Sequence, residues 1–191
     1  MAISDMLYWT PQHVIPTFIG IGFLLNDAFI DRDISYTPFA VSLLAIWSPL
    51  VLVGLFPFFA YVLFHAKFKG IWNLTNLIIA PVIFGVVAVF LLAIESETLV
   101  KHFIFTDLSN RGLTYLDQIG TYFYFIFFEV LIWAIPIYLV LKATLGKEYK
   151  SLFGFTILIL LLIPFYRFGL WNDWCNRVSM PAIVVLALFA F

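Results

Sequence analysis

Apolar residues run along the chain in long blocks separated by short polar stretches. Five blocks approach the roughly 20 helical residues that cross about 30 Å of hydrocarbon at about 1.5 Å of rise per residue. They extend from Pro11 to Ile30, Pro38 to Phe64, Trp72 to Ile94, Asp117 to Leu141 and Leu152 to Phe168. A sixth block starts near Met180 and stops at Phe191, about 18 Å if helical and short of that thickness. The pattern predicts an all-α fold: a polytopic transmembrane helix bundle of five spans plus a truncated or half sixth span. It forms a single membrane domain over residues 1–191, read as part of a longer protein. A half-span or re-entrant terminus is the alternative for the last block.

The second block carries no charged side chain from Ile34 to Phe64, yet Ser48-Pro49 and Pro57 interrupt it. Proline removes a backbone donor, and in lipid the carbonyls it leaves free need a partner from a neighbouring helix or a cavity. A kinked or broken helix is predicted, with an ordinary kink inside a bundle as the simpler outcome.

Composition agrees with a membrane location. The 191 residues are 64% hydrophobic and 11% charged, with a mean hydropathy of +1.07, against roughly 25% charge in soluble domains. Ten Lys and Arg balance eleven Asp and Glu without a block of like charge, so neither a nucleic-acid footprint nor a polybasic lipid-binding segment is indicated. The one cysteine, Cys175, has no internal disulfide partner, and no Cys/His spacing resembles a zinc site. The N-terminus lacks the basic region of a signal peptide, so the apolar run after it is read as structure.

Tyr8, Trp9, Trp72, Tyr115, Trp171 and Trp174 lie near block ends and suit interfacial belts. The aromatic run Tyr122 to Phe128 suits lipid contact or bundle packing better than base stacking. Alternating the connections puts Lys67, Lys69, Lys142, Lys147 and Lys150 on one side, and Arg32, Lys101, Arg111, Arg167 and Arg177 on the other. The counts tie; the first set sits in shorter connections, which favours that side for the cytoplasm.

The informative residues are polar groups that a bilayer discourages. Glu129 lies midway along the fourth block, where an ionisable side chain costs roughly 2.5–3.5 kcal/mol on insertion scales. It is an intramembrane acid with either a transport role or a packing role. Thr10-Pro11-Gln12-His13 opens the first block; Thr10 can cap and Pro11 can start a helix, placing Gln12 and His13 beside free amides that can bind an anion. His13 can also serve as an acid, base or donor near neutral pH, or simply anchor the helix end. Between Tyr166 and Pro181 the chain concentrates Arg167, Asn172, Asp173 and Arg177. If helical, Asp173 and Arg177 share a face, as do Asn172 and Asn176. Arg167 and Arg177 can grip a phosphate bidentately at headgroup depth, or the segment can satisfy itself. Asp27, Asp31 and Asp33 match no EF-hand spacing and read as a solvated turn more readily than as a divalent-cation site. Asn73-Leu74-Thr75 meets the glycosylation sequon but borders a span. No glycine-rich phosphate loop, G-x-S-x-G elbow or H-E-x-x-H helix is present, so no cofactor or metal is expected.

Three motifs together carry a family resemblance: Trp9-x-Pro11-Gln12-His13; Trp47-Ser48-Pro49 followed by Gly54-Leu55-Phe56-Pro57-Phe58; and Gly169-x-x-Asn172-Asp173-x-x-x-Arg177-x-Ser179-x-Pro181-Ala182. They resemble the later spans of bacterial polytopic membrane proteins similar to GT-C-type glycosyltransferases. The resemblance implies sugar transfer from a polyprenyl-phosphate donor at the outer face of the bacterial cytoplasmic (inner) membrane. The catalytic acid of such enzymes sits in an early extracytoplasmic loop. Only ten residues precede the first block here, so the resemblance assigns this chain substrate-binding helices, with Gln12, His13, Arg167, Asn172, Asp173 and Arg177 as contacts. Membrane lipids, a polyprenyl-phosphate sugar and a membrane protein partner are the implied partners. Two other readings stand beside it: a non-catalytic membrane scaffold or partner subunit, and a transporter or channel domain using Glu129. With one crossing per block, His13 and Arg177 fall on opposite faces. They share a face only if a segment is re-entrant or the second block crosses twice.

Overall fold

The computed structural model describes residues 11–93, 101–106, 112–168, 172 and 174–190, of which 90–93 and 101–102 are described in backbone only. The chain divides into two compact units, Ala2–Thr98 and Leu99–Phe191. Among the described residues there are eight α-helices.

In the first unit, α1 (Pro11–Asn26) ends in a π-helical turn, Asp27–Asp31. It is followed by α2 (Thr37–Trp47), α3 (Pro49–His65), a π-helical turn at Thr75–Ile79 and α4 (Ala80–Ala93). The second apolar block is thus two helices. On one continuous helix Thr37 and His65 would lie about 42 Å apart at about 1.5 Å per residue. Instead the segments flanking those ends meet: the Ile34 amide donates to the Lys69 carbonyl at 3.0 Å, and Asn73 Nδ2 donates to the Ser35 carbonyl at 2.7 Å. The block folds back on itself at Ser48. The cause is local. Pro49 lacks an N–H and drives the preceding residue out of the helical region, and Ser48 adopts φ −148°, ψ 90°. Pro57, by contrast, is carried inside α3 without ending it.

α1 runs parallel to α3, and α2 runs antiparallel to both. Its first turn meets the tip of the hairpin, where His13 bonds Ser48, and its last turn meets the far end, where the Phe29 and His65 rings lie 5.3 Å apart. Midway, Gly20 lies against Leu44 of α2 and Leu55 of α3; a Cβ there would come within 2.6 Å of Leu55 Cδ1. Ile21, Leu24, Val41, Ala45, Val51 and Leu55 form a fully buried seam. α4 packs along α2, its approach fixed by Asn76 Nδ2 donating to the Ser35 carbonyl at 2.9 Å. Arg32, Lys67 and Lys69 consequently share one end of this unit, correcting the alternation that separated Arg32 from the two lysines.

In the second unit, β1 (Lys101–Phe103) pairs antiparallel with β2 (Tyr166–Phe168), with His102 opposite Arg167. This two-stranded ribbon is a small departure from the all-α expectation. Between the strands, α5 (Tyr115–Ile126), a π-helical turn (Phe127–Leu131) and α6 (Ile132–Leu141) form one long rod. α7 (Lys147–Leu162) returns and closes in a 3₁₀ turn, Ile163–Phe165. A π-helical turn, Trp174–Val178, leads into α8 (Met180–Leu188), which packs on α7 with Phe153 and Phe189 edge to face at 5.3 Å. Thr114 and Asp117 form a reciprocal cap at the start of α5, satisfying two amides that the helix end leaves without partners.

Three of the described helices are long and apolar enough to cross a membrane: Pro11–Asp31, Tyr115–Leu141 and Lys147–Phe165. Five and a half were expected. The second block is divided between 11- and 17-residue helices. The third and sixth give the shorter apolar helices Thr75–Val89 and Trp174–Leu188. In the third, Trp72 and Asn73 are spent in the connection, where Asn73 bonds back to Ser35 and Gly70. The three long helices fit a membrane protein.

Candidate functional site

Two polar stations at helix ends, one in each unit, and one acid within a helix carry the candidate chemistry. In the first unit His13 is in the opening turn of α1, half-buried, with Gln12 exposed beside it. His13 Nδ1 lies 2.7 Å from Ser48 Oγ, and Ser48 is fully buried. The break before Pro49 releases the Ser48 hydroxyl, which makes no cap bond to α3 and faces α1 instead. Thr17 Oγ1 donates to the His13 carbonyl at 2.7 Å. Ser48 was legible in the sequence as a break; its partnership with His13 was not, because the two are 35 residues apart and only the fold-back joins them.

Removing His13 leaves the Ser48 hydroxyl buried without this partner, a cost of about 1–3 kcal/mol. Coupling between hydrogen-bonding side chains in membrane helices averages about 0.6 and reaches about 1.7 kcal/mol. A double-mutant cycle of His13→Phe and Ser48→Ala, followed by SDS or thermal unfolding, should return a coupling in that range; additive effects would mean that the bond contributes nothing.

At the opposite end of the first unit is a polar knot that sequence reading missed. Asp33 Oδ1 accepts from the Ser35 amide at 2.9 Å and from the Ser35 hydroxyl, and Lys69 Nζ lies 3.7 Å from Asp33 Oδ2. The Ser35 hydroxyl and amide, with a smaller contribution from Lys69, hold the Asp33 carboxyl below its ordinary value. Asn73 spans the Ser35 and Gly70 carbonyls. Asn26 Nδ2 bonds Asp31 at 2.6 Å and Asp27 at 3.4 Å, so the three acids are tied into local structure. No cluster of metal-ligating side chains occurs among the described residues.

In the second unit the strand bearing Arg167 and the turn bearing Arg177 pack together. The Tyr166 and Trp174 rings meet edge to face at 5.2 Å, and Trp174 Nε1 donates to the Ile163 carbonyl at 3.1 Å. Arg167, Asn172 and Arg177 are each half-buried. Asn172 adopts φ 54° and caps the turn, its Oδ1 accepting from the Cys175 amide at 3.4 Å. The Asn176 amide bonds the Asn172 carbonyl at 3.1 Å, and Ser179 Oγ donates to the Cys175 carbonyl at 2.5 Å. Asp173, expected to share a helical face with Arg177, lies outside the described residues, as do Trp9 and Thr10.

Beneath this corner is a partly open cavity of about 120 Å³. Thr121, Tyr122 and Phe125 of α5 line it, with Ile104 and Pro164 at its sides and Asn172 and Cys175 above. Both of its hydroxyl groups are engaged within the protein. Tyr122 Oη donates to the Leu161 carbonyl at 2.6 Å, and Thr121 Oγ1 donates to the Asp117 carbonyl at 2.8 Å. The surface left to a ligand is therefore mostly apolar.

Glu129 lies in the π-helical turn of the Tyr115–Leu141 rod and is exposed in this chain. Gln12 and His13 thus belong to one unit, and Glu129, Arg167, Asn172 and Arg177 to the other. Comparison with protein-family models, curated proteins and solved structures finds no match to this chain.

Proposed function

We propose that this chain is an integral membrane domain that recognises the phosphate of a lipid-linked substrate at the corner formed by β2 and the 174–178 turn. The observation that carries the reading is the packing of the Arg167 strand against the Arg177 turn through Tyr166 and Trp174, at the end of an apolar helix. Two arginine-bearing segments meet at this corner, and a phosphate accepts paired N–H bonds in the fork geometry of arginine. Tryptophan and tyrosine beside them fit headgroup depth. The ligand class comes from the resemblance to GT-C-type glycosyltransferases, which makes the substrate a polyprenyl-phosphate sugar in a bacterial inner membrane. On this reading the chain binds the lipid phosphate, and catalysis is completed by residues outside this corner.

A charge-assisted bond is worth about 1.5–3 kcal/mol, so Arg177→Ala and Arg167→Ala should each weaken binding of a polyprenyl-phosphate sugar by about 10- to 100-fold. Lysine at either position retains charge but loses the fork, and should restore only part of the affinity. Exposed Asn176→Ala is the control. Unchanged binding in both alanine variants, measured in nanodiscs with purified lipid, would remove the main support for this function.

A further inference from the structure

The cavity under the 172–178 segment has a shape and chemistry that the phosphate-binding reading does not use. We infer that it holds one acyl chain of a phospholipid drawn from the surrounding bilayer. Three observations point to that occupant. The Thr121 and Tyr122 hydroxyls and Asn172 Oδ1 are already bonded within the protein and most of the lining is apolar, so a polar ligand would find little beyond the Asn172 side-chain N–H groups to bond here, whereas an alkyl chain matches most of the surface. The cavity opens past exposed Thr121 and Phe125 onto the Tyr115–Leu141 rod, whose neighbouring Phe123 and Tyr124 are about two-thirds exposed; a ligand there arrives sideways from lipid. Thr121 and Phe125 lie about 9 and 15 Å below the start of α5 at about 1.5 Å per residue, the depth of acyl carbons below a headgroup.

The volume, about 120 Å³, is close to that of engineered apolar cavities that admit a benzene-sized group, about 150 Å³. It takes a short length of one chain rather than a whole lipid. The seated chain packs against Cys175 and Asn172 and so supports the turn that carries Arg177. The site does not depend on the arginine-bound phosphate, and its test separates the two.

The full chain is reconstituted into phosphatidylcholine vesicles containing a trace of phosphatidylcholine with a diazirine in mid-chain, irradiated, and mapped by peptide mass spectrometry. Adducts should concentrate on Tyr122, Phe125 and Cys175. Thr121→Trp, which fills the exposed mouth, should lower the Cys175 adduct about tenfold, the worth of roughly two buried methylene groups. The Tyr124 adduct on the outer face should persist, showing that the variant is folded and embedded. Arg177→Ala should leave the pattern intact, so failure of the phosphate reading leaves this one standing. A Cys175 adduct no stronger than that at Tyr124, or equal in Thr121→Trp and wild type, overturns the inference. Displacement of the probe by equimolar polyprenyl phosphate also overturns it, because the cavity would then belong to the lipid-linked substrate.

Discussion

Single cysteines placed at Tyr36 and at Trp72, in a Cys175→Ser background, will be labelled by a membrane-impermeant maleimide from the same side of the bilayer. A cysteine at Gln12 will be labelled from the other. Tyr36 and Trp72 are both more than three-quarters exposed, and they flank the two ends of the Ser48 hairpin. The Ile34 to Lys69 backbone bond and the Asn73 to Ser35 bond hold those ends together, so both positions face one compartment. One helix running from Pro38 to Phe64 would put them on opposite sides, so the outcome is all or none. Opposite labelling would refute the hairpin in the membrane. The same end collects Arg32, Lys67 and Lys69, and basic connections remain preferentially in the cytoplasm. Within the membrane protein proposed here, right-side-out vesicles should therefore label Gln12→Cys, and inverted vesicles should label Tyr36→Cys and Trp72→Cys.

The reason this hairpin was not legible in the sequence is physical. Hydropathy sums apolar side chains over a length, and Pro38 to Phe64 has the same sum whether it crosses once or folds in half. The punctuation was visible: Ser48-Pro49 breaks the block. What decides between a kink and a reversal is whether the two ends find partners, and those are polar contacts of high sequence separation. Ser35 with Asn73 and Asn76, and His13 with Ser48, span 35 to 41 residues. Asn73 reads locally as the start of a sequon, whereas its bonds to Ser35 and Gly70 give it a non-local role. The C-terminal polar segment fared differently. Arg167, Asn172 and Arg177 are close in sequence, and the two-stranded ribbon and the π-helical turn gather their segments into one corner. The cavity beside them escaped notice because Thr121, Tyr122 and Cys175 carry no local signal of a shared space.

The consequence of the hairpin for function lies in what each end offers. One crossing per block would have put His13 on the same side as Lys67 and Lys69. The fold-back instead leaves His13 and Gln12 at the tip with Ser48, and Arg32, Asp33, Lys67 and Lys69 at the base. The tip has a half-buried imidazole fixed by a buried hydroxyl and an exposed amide, chemistry suited to hydrogen bonding with a polar ligand. The base has Asp33 held ionised by Ser35 and paired with Lys69, which suits structural closure.

That closure should fail when Gly70 acquires a side chain. Gly70 sits at φ +82°, a left-handed conformation that costs an L-residue roughly 1–2 kcal/mol, with β-branched residues faring worst. A Cβ there would also overlap the Asp33 carboxylate and the Ser35 hydroxyl, which bond each other and cannot both retreat without breaking that bond. Overpacking typically adds about 1–3 kcal/mol and the lost hydrogen bond about 1 kcal/mol. Gly70→Val should therefore destabilise the first unit by about 3–6 kcal/mol, read as a shift in the SDS unfolding midpoint or as loss of monodisperse protein at moderate temperature. Gly22, where a Cβ would meet nothing within 4 Å, supplies the control. Combining Gly70→Val with Asp33→Ala should recover the part due to overlap with Asp33 but neither the overlap with Ser35 nor the backbone strain. A Gly70→Val protein as stable as Gly22→Val would mean that the 66–70 turn is not held against Ser35, and the hairpin would lose the contact that keeps its two ends on one side.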